Sequence, residues 1–471
     1  LFEMPRRLAR VDLTRLVSSE PVQKLAHAAP PSSSTVFSPR TKFEFPLKTP
    51  SWYIGHMHRA MRSFPSMLAR TPPPLVIEVR DARLPFTSIN PKFEEALQSA
   101  PSAKERVRIS SQTYMSGWAA RRLVVYTKRD QIERAWEGPI VRALAKHTHD
   151  DHVMFVDTRK KNDVQRVYDW VCARAKLLSK AAAKAGVRQA SNSMRHSHLS
   201  GAARYTSTPE TGVRLLVVGM PNVGKSSLLN ALRFVGTGKK SAASTHPHPG
   251  HTRKVTGTVR ITPSAPSLAQ LDMSEGIDMK RLVAREAHKP PSVYVYDTPG
   301  IMVPFLGSAE HGGPERALKL AITGCMKQTL FSAEELADYL LFRMNRRYLY
   351  ARAHGSDALP AYTALMSEPK LTDDNIEFLS CVAGKAPGAR QQGGTMNLSV
   401  AAEFVISQFQ RGVLGSRELD LALNEEDVPP SISLSTSSST PAASSMSLDD
   451  HVAVRLLAHL ASVSQDLQEP A

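Results

Sequence analysis

The sequence contains few cysteines and no long apolar run. Its three cysteines, Cys172, Cys325 and Cys381, lie far apart, with neither the spacing of a metal site nor that of a disulfide framework. This usage excludes a small disulfide-stabilised scaffold and is typical of a reducing compartment. No segment approaches the roughly 20 apolar residues of a membrane-spanning helix, so the sequence predicts no transmembrane segment and leaves open only peripheral membrane contact.

Acidic residues are also scarce. The 471 residues include 43 Asp and Glu against 60 Lys and Arg, which gives a net charge of +17. Nine of the acids lie from Ser416 onward, where only two basic residues occur, so the positive charge is concentrated in the rest of the chain. A strongly basic body is typical of a protein that binds a polyanion, and RNA fits this charge better than a membrane surface does.

Residues 1–48 have few acids and no pattern of a folded domain. Five basic residues between Arg6 and Lys24 alternate with leucine, valine and alanine, and serines follow. This composition predicts a mitochondrial transit peptide and hence a location in the mitochondrial matrix. Peripheral contact with the matrix face of the inner membrane stays open, and general mitochondrial basicity is the alternative explanation of the net charge.

The most informative stretch is GMPNVGKS, residues 219–226, between a predicted strand at 213–218 and the first turns of a helix. Its glycines let backbone N–H groups point at phosphate oxygens, and the helix N-terminus adds partial positive charge. Lys225 would reach the β- and γ-phosphates, and Ser226 would ligate magnesium. The stretch therefore predicts a nucleotide site made of Asn222, Val223, Gly224, Lys225, Ser226 and Ser227.

A second phosphate-side motif is VYVYDTPG, residues 293–300. Asp297 ends a predicted strand, where it can hold magnesium beside Ser226, directly or through water. The N–H of Gly300 can bind the γ-phosphate, so this loop can sense whether that phosphate is present. Between the two motifs, Thr252 in HPGHTRK is the candidate switch threonine, whose hydroxyl closes over magnesium in the triphosphate state. Together these motifs indicate a GTPase.

The base-reading motif lies upstream instead of after Gly300, in LVVYTKRD at 123–130. Asp130 could accept hydrogen bonds from N1 and the 2-amino group of guanine, and Lys128 could lay its aliphatic stem over the purine ring. Thr127 stands where asparagine is usual, which leaves the contact that braces the phosphate loop open. Residues 157–159, which follow another predicted strand, are candidates for a second base contact.

The motifs therefore occur in the order base motif, flanking loop, phosphate loop, switch threonine and DTPG. This order is a circular permutation of a GTPase domain, in which the strands keep their places in the sheet but are connected differently. Predicted strands alternate with helices, which indicates an α/β P-loop GTPase fold with a doubly wound, mostly parallel sheet. The predicted strands are 75–80, 123–126, 153–156, 213–218, 255–261 and 293–296.

The GTPase domain is predicted to span 49–310, with flexible insertions at about 181–212 and 263–291. Apolar residues at spacings of three and four predict a smaller all-α domain over 311–426. Residues 427–471 are predicted to be a low-complexity acidic tail, with a short helix from about His451. Four arginines in the all-α domain are candidates to contact RNA phosphates, a solvated helix face being the alternative: Arg343, Arg346, Arg347 and Arg352.

Three further segments, with these motifs, resemble the circularly permuted ribosome-assembly GTPases, and most of all their mitochondrial ribosome-associated branch. They are WYIGHM at 52–57, VIEVRDARLPFTSINP at 76–91 and the helical pattern over 316–415. The resemblance covers most of residues 51–415. It implies hydrolysis of GTP to GDP and phosphate during assembly of the mitochondrial large ribosomal subunit, with that subunit and its rRNA as partners.

The resemblance also implies roles for two residues. In this family the histidine of the GHM motif is implicated in positioning water, a role that carries over to His56; helix capping or packing is the alternative. Asn222 carries over as a candidate potassium ligand near the β- and γ-phosphates, the alternative being a polar residue that holds the loop's shape. Ile301 follows DTPG, where many relatives have a water-orienting glutamine, and its side chain forms no hydrogen bonds.

The favoured function is thus a GTP-hydrolysing assembly factor that uses magnesium. The alternative is a nucleotide-gated tether to RNA or the ribosome with little intrinsic hydrolysis, a reading that Ile301 favours. The phosphate loop alone would also allow an ATPase or a nucleotide kinase, and Asp130 argues against both.

Overall fold

The structure is a computed structural model, and its described residues form eight strands and eleven α-helices. It describes residues 37–45, 55–69, 73–104, 106–108, 114–148, 150–193, 212–239, 259–263, 291–298, 300–303, 306–353, 357–390, 395–421 and 447–468. The strands are β1 (Leu75–Asp81), β2 (Arg106–Arg108), β3 (Tyr114–Ser116), β4 (Arg122–Thr127), β5 (Val153–Phe155), β6 (Val213–Val218), β7 (Val259–Arg260) and β8 (Val293–Asp297). The helices are α1 (Gly55–Leu68), α2 (Pro91–Ser99), α3 (Gly117–Arg121), α4 (Glu137–His147), α5 (Lys161–Ser193), α6 (Lys225–Thr237), α7 (Gly313–Ile322), α8 (Ala333–Ala353), α9 (Asn375–Ala383), α10 (Leu398–Arg411) and α11 (Leu448–Gln468).

Six of the strands form one sheet in the order β5-β4-β1-β6-β8-β7, and β2 and β3 form a separate antiparallel pair. Every neighbouring pair in the large sheet is parallel except β7 and β8. The chain moves outward from β1 to β4 to β5, then returns to place β6 against the other edge of β1. Connections thus reverse direction between β1 and β6, where open α/β sheets bind ligands outside the carboxyl ends of their strands.

Helices cover both faces of the sheet because alternate side chains of each strand point to opposite faces. On one face, Ile77, Val125 and Val217 are buried in a cluster with apolar residues of α5 and α6. On the other, Val76 and Val218 pack with apolar residues of α1 and α2. Burial on both faces explains why the parallel strands are near-continuous apolar runs, and the predicted doubly wound α/β fold is confirmed.

The apolar run of β1 is interrupted by a buried ionic network. Glu78 binds Arg80 (2.7 Å) and Arg122 (2.6 Å), and both arginines also contact Asp150, at 3.2 and 2.8 Å. Burial alone would raise the pKa of Glu78, but the two adjacent guanidinium groups lower it to about 2. Glu78 and the two arginines therefore stay charged inside the protein because each one is paired.

The predicted all-α region is helical in the structure. Helices α7 to α10 contribute side chains to the same apolar cluster that fills one face of the sheet, including Leu320, Tyr339, Phe378 and Val405. The helical region and the GTPase domain thus share one continuous core. None of the helices in the described ranges is long and apolar enough to span a bilayer.

The helix predicted from about His451 within the acidic tail corresponds to α11, which begins at Leu448 and docks on the GTPase domain. Leu448, Val452 and Leu456, spaced four residues apart, are buried in a cluster with Ile140 and Leu144 of α4. Polar contacts reinforce the docking: Arg142 pairs with Asp449 (2.7 Å), and the hydroxyl of Ser462 accepts from Arg316 (2.9 Å). The sequence predicted the helix but not its packing, because the residues that α11 contacts are distant in the chain.

The predicted flexible insertion at 181–212 is corrected over its first residues, which continue α5 to Ser193. Alanine, lysine, arginine and glutamine dominate this stretch and all favour a helix, so its composition alone does not identify a linker. The end of this insertion, most of the predicted insertion at 263–291 and the predicted transit segment up to residue 36 lie outside the described residues.

Candidate functional site

The phosphate-loop sequence connects β6 to α6 as a tight turn around the ammonium group of Lys225. Lys225 is buried, and its Nζ donates to the carbonyl oxygens of Gly219 (3.1 Å) and Met220 (2.7 Å). Gly219 and Gly224 have φ angles of +148° and +96°. A Cβ at Gly219 would lie 2.2 Å from the carbonyl oxygen of Val79 in β1, so only glycine fits there.

The base motif lies against this loop. The Thr127 hydroxyl is within hydrogen-bond distance of the carbonyl oxygens of Val223 and, at 3.3 Å, of Arg80. Lys128, with φ +58°, donates through Nζ to the Asn222 carbonyl oxygen (2.9 Å) and to Asp81 (2.7 Å). The bracing contact left open by the missing asparagine is thus made by Thr127.

Asp130 follows Thr127 by three residues, in a short 3-10 helix, and its carboxylate contacts the loop that follows β5. Its Oδ2 is 2.7 Å from Nη2 of Arg159, whose Nε lies 3.0 Å from Oδ1 of Asp157. Arg159 is 71% exposed, so this pairing with Asp130 contributes little to stability. Burial would raise the pKa of Asp157, but the hydrogen bonds from Arg159 lower it. The structure therefore brings the flanking loop to the same corner as the base motif.

Asp81 and Arg83, at the end of β1, were not among the predicted site residues. Asp81 is fully buried and accepts from Nη2 of Arg83 and from Nζ of Lys128, both at 2.7 Å. Burial would raise the pKa of Asp81, but these two cations hold it well below its usual range. The sequence did contain a signal for Asp81. This residue ends the strand on one side of β6, just as the predicted site residue Asp297 ends the strand on the other side.

The DTPG loop packs on the other side of the phosphate loop. The Ile301 N–H donates to the carbonyl oxygen of Gly219 (3.2 Å), and the Thr298 hydroxyl donates to that of Val217 (2.7 Å). A Cβ at Gly300 would come within 2.5 Å of Cα of Pro221, so glycine permits this close approach. Nδ2 of Asn90 donates to the carbonyl oxygen of Ile301 (3.2 Å) and so ties the loop after β1 to DTPG.

The nucleotide-binding, metal and catalytic roles of the predicted residues stay predictions, and the side chains of three of these residues lie outside what the structure describes. The backbone of His56 begins α1, but its side chain lies outside what the structure describes, and so does that of Asp297. Thr252 lies wholly outside the described residues. Ile301 is 2% exposed and lies in one buried apolar cluster with Phe64 of α1. Its aliphatic side chain forms no hydrogen bonds.

The donor set fits magnesium. The hydroxyl of Ser226 and the carboxylate of Asp297 are hard oxygen ligands of the kind this ion prefers. Asp297 pairs in register with Val217, so its strand ends beside the strand that leads into the phosphate loop. The described residues contain no group of three or more His, Cys, Asp or Glu able to hold a metal ion.

The arginines of α8 do not form the predicted RNA-facing or solvated face. Arg343 and Arg346 are buried, and Nη2 of Arg343 donates to the carbonyl oxygen of Leu419 (3.0 Å). Arg347 lies 3.6 Å from both Glu133 and Glu418. Of the four, Arg352 alone is exposed, so most of this charge serves the internal contacts of the helical region.

Comparison with known proteins agrees with this geometry. Residues 214–359 match the sequence profile of the family described as MMR_HSR1, 50S ribosome-binding GTPase. The match begins in β6, whereas the base motif lies upstream of it, as the permuted order requires.

Relatives match over most of their length. The Mitochondrial GTPase 1 of Aedes aegypti is 26% identical, over 79% of this chain and 93% of that protein. The Mitochondrial ribosome-associated GTPase 1 of Mus musculus is 28% identical, over 78% and 89% respectively. A crystal structure of GNP-bound YlqF from T. maritima aligns at 17% identity and a TM-score of 0.35, over 79% of this chain and 99% of that one. The resemblance predicted from the sequence is confirmed by the relatives.

Proposed function

We propose that this chain, a circularly permuted P-loop GTPase, acts in the mitochondrial matrix as an assembly factor for the large ribosomal subunit. It would bind that subunit and its rRNA with GTP present and leave after hydrolysis to GDP and phosphate. The observation that supports a guanine-nucleotide site most strongly is the contact of Thr127 and Lys128 with Val223 and Asn222. It joins a base motif to a phosphate loop that follows it by about 90 residues.

Within this site, each motif contributes one part of nucleotide recognition. Asp130 would accept hydrogen bonds from guanine, and Lys128 would cover one face of the purine. The backbone N–H groups from Val223 to Ser227 would bind the phosphates, and Lys225 would neutralise their charge. Bound magnesium would neutralise the β- and γ-phosphates, with Ser226, Thr252 and Asp297 as its protein ligands.

Hydrolysis requires a group that positions the attacking water. The side chain of Ile301 cannot do this, because it forms no hydrogen bonds. We assign this role to His56. The supporting observation is that Phe64 of the same helix lies in one buried apolar cluster with Ile301, which brings α1 near the DTPG loop. Potassium held by Asn222 would add the positive charge that an arginine supplies in other GTPases.

The ribosomal assignment rests on the names of the relatives and on charge. The family profile and the mouse relative are both named for ribosome association, and the relatives are named as mitochondrial. A chain with a net charge of +17 suits an rRNA partner. The proposal also includes peripheral contact of this basic chain with the inner membrane.

Co-sedimentation tests this function. The purified protein is mixed with mitochondrial large subunits in the presence of a non-hydrolysable GTP analogue or of GDP. We expect the protein to sediment with the subunit in the GTP-analogue state and to remain in the supernatant with GDP. Lys225→Ala, which removes the phosphate-binding ammonium group, is the control and should not sediment in either state. Equal sedimentation of the wild type with both nucleotides would contradict a switch.

A tether with little hydrolysis is the second candidate, favoured by the burial of Ile301. The two functions separate in a turnover assay with and without subunits. An assembly GTPase should hydrolyse GTP at least about tenfold faster with subunits present, as partner-assisted GTPases do. Nucleotide-dependent binding without such stimulation would favour the tether.

A further inference from the structure

The turn that ends α7, residues Thr323 to Cys325, touches the nucleotide site although it belongs to the helical region. The Gly324 carbonyl oxygen accepts from Nδ2 of Asn222 (3.2 Å), and the Thr323 carbonyl oxygen accepts from Nη2 of Arg83 (2.8 Å). The thiol of Cys325 lies 3.8 Å from Oδ2 of Asp81. Three consecutive residues of the helical region thus contact three groups of the GTPase domain.

The chemistry of a helix C-terminus explains why these contacts form here. The last carbonyl groups of a helix lack partners within the helix and carry partial negative charge. Here the carbonyl group of Thr323, the C-cap residue, accepts from the cationic Arg83, and that of Gly324, the next residue, accepts from Asn222. Thr323 and Arg83 are each 3% exposed, so their contact is shielded from water, whereas the contact between Asn222 and Gly324 is half-buried. The Arg83 contact cannot be exchanged for water without moving α7.

The contact with Asn222 orients a residue of the phosphate loop itself. Asn222 has φ +54°, a strained conformation for a residue other than glycine. Its side-chain amide has one donor end and one acceptor end. Donation from Nδ2 to Gly324 therefore sets where Oδ1 lies, and Oδ1 is the atom that a cation near the phosphates would need.

The contact with Arg83 reaches the base motif. Asp81 binds both Arg83 and Lys128, and the carbonyl oxygen of Asn222 accepts from the same Lys128. Displacing the turn would release Arg83 from Thr323 and so disturb the carboxylate that holds Lys128. Both ends of the nucleotide site are therefore linked to the same turn.

We propose that the Thr323–Cys325 turn is a positioning element of the nucleotide site, so that the placement of the helical region sets the affinity for guanine nucleotide. This inference rests on the proposed function, since it concerns the regulation of the same site. A partner that moves α7 would thereby change nucleotide affinity, and bound nucleotide would hold α7 in place to the same extent, because coupling between two sites is reciprocal.

Gly324→Ala tests this role, and the chain offers a matched control. Gly324 has φ +77°, and an added Cβ would lie 3.2 Å from Nδ2 of Asn222. Gly388, also in the helical region, has φ +78° with nothing within 4 Å of an added Cβ. Both substitutions impose the same left-handed strain, and only G324A pushes on Asn222.

Affinity is measured by titrating each purified full-length protein with a fluorescent GDP analogue in magnesium. We expect G324A to bind at least about tenfold more weakly than the wild type, and G388A to bind within about twofold of it. Equal affinities of G324A and G388A would overturn the positioning role. A wild type that fails to bind GDP would instead contradict the proposed function, so the two failures are distinguishable.

Two further measurements keep the test decisive should G324A not fold. Arg83→Lys keeps a cation beside Asp81 but loses the fork that reaches Thr323, and it should also weaken GDP binding. In the wild type, bound GDP should slow hydrogen exchange at the amides of Gly324 and Met326, which donate to the carbonyl oxygens of Ala321 and Leu320 in α7. Unchanged exchange in this turn, or an R83K variant that binds as tightly as the wild type, would contradict the inference.

Discussion

The hydroxyl of Thr127 donates a hydrogen bond to the carbonyl oxygen of Val223, a residue 96 positions later in the chain. Thr127 is the last residue of β4, and Val223 lies in the loop after β6. In the sheet, β1 lies between these two strands. This contact fixes the distance between the part of the site expected to read the base and the part expected to bind phosphates. It takes the place of the asparagine contact that the sequence lacks.

Thr127→Val removes this hydroxyl and keeps the shape of the side chain. We expect GDP affinity to fall by about tenfold, because a buried hydrogen bond contributes about 1 kcal/mol and the Val223 carbonyl group would lose its partner. Thr363→Val is the control: the Thr363 hydroxyl is also buried and donates to the carbonyl oxygen of Pro360 (2.8 Å), in the helical region. Isothermal titration with GDP should show no change for T363V, and an equal loss in both variants would refute the bracing role.

The docking of α11 gives a second prediction, based on two adjacent leucines. Leu456 is fully buried against α4, whereas Leu457 is 46% exposed. Leu456→Ala should lower the free energy of unfolding by about 2 to 4 kcal/mol, because it leaves a cavity, and Leu457→Ala by less than about 1 kcal/mol. Denaturant unfolding measures both values, and similar small losses would show that α11 does not dock on the GTPase domain.

Glu133 gives a prediction of pH dependence. Burial raises the pKa of Glu133 to about 7, assisted by the negative charge of Glu418 and opposed by Arg347. Its Oε1 has no hydrogen-bond donor among the described residues. Between about pH 4.5 and 7 the folded protein binds more protons at this site than the unfolded chain does, so stability falls as the pH rises through this window.

Glu133→Gln removes this titration and should make the protein more stable than the wild type at pH 8, by about 1 to 2 kcal/mol with allowance for solvent screening. Below pH 4.5 the two proteins should unfold with similar free energies. Glu310→Gln, on an exposed side chain, is the control and should leave the pH profile unchanged. A pH profile of E133Q that parallels the wild type would show that Glu133 titrates normally.

The sequence predicted the sheet well because its signals are local. Strands such as 213–218 are apolar runs bounded by turn residues, and the observed β6 has the same bounds. The order of the motifs indicated the permutation, since a base motif upstream of its phosphate loop fits one sheet only if the connections differ. The pair β2–β3 was missed, because strands of three residues are too short to show a period.

The contacts between domains could not be predicted from the sequence. Asp81 and Arg83 are two residues apart in the sequence, but their partners Lys128 and Thr323 are distant in the chain. The arginines of α8 have the pattern of a solvated face, and only tertiary packing shows that Arg343 and Arg346 are internal. Likewise, the sequence predicted a helix from about His451 but not its docking, because composition does not show what a segment packs against.

Recognition of guanine by Asp130 is the central claim, and nucleotide selectivity tests it. In Asp130→Asn the side-chain amide can donate to the 2-oxo group of xanthine, whereas it can no longer accept from the 2-amino group of guanine. Two charge-assisted hydrogen bonds to guanine are lost, so GDP affinity should fall by about 100-fold or more. Arg159→Ala is the control, since it removes the ion pair with Asp130 and leaves the carboxylate in place.

The most direct measurement is competition between GDP and xanthosine diphosphate for the wild type, D130N and R159A. The account predicts that the wild type and R159A prefer GDP and that D130N prefers xanthosine diphosphate. A D130N variant that still prefers GDP would contradict it, because Asp130 would then not lie at the base of the nucleotide bound on Lys225.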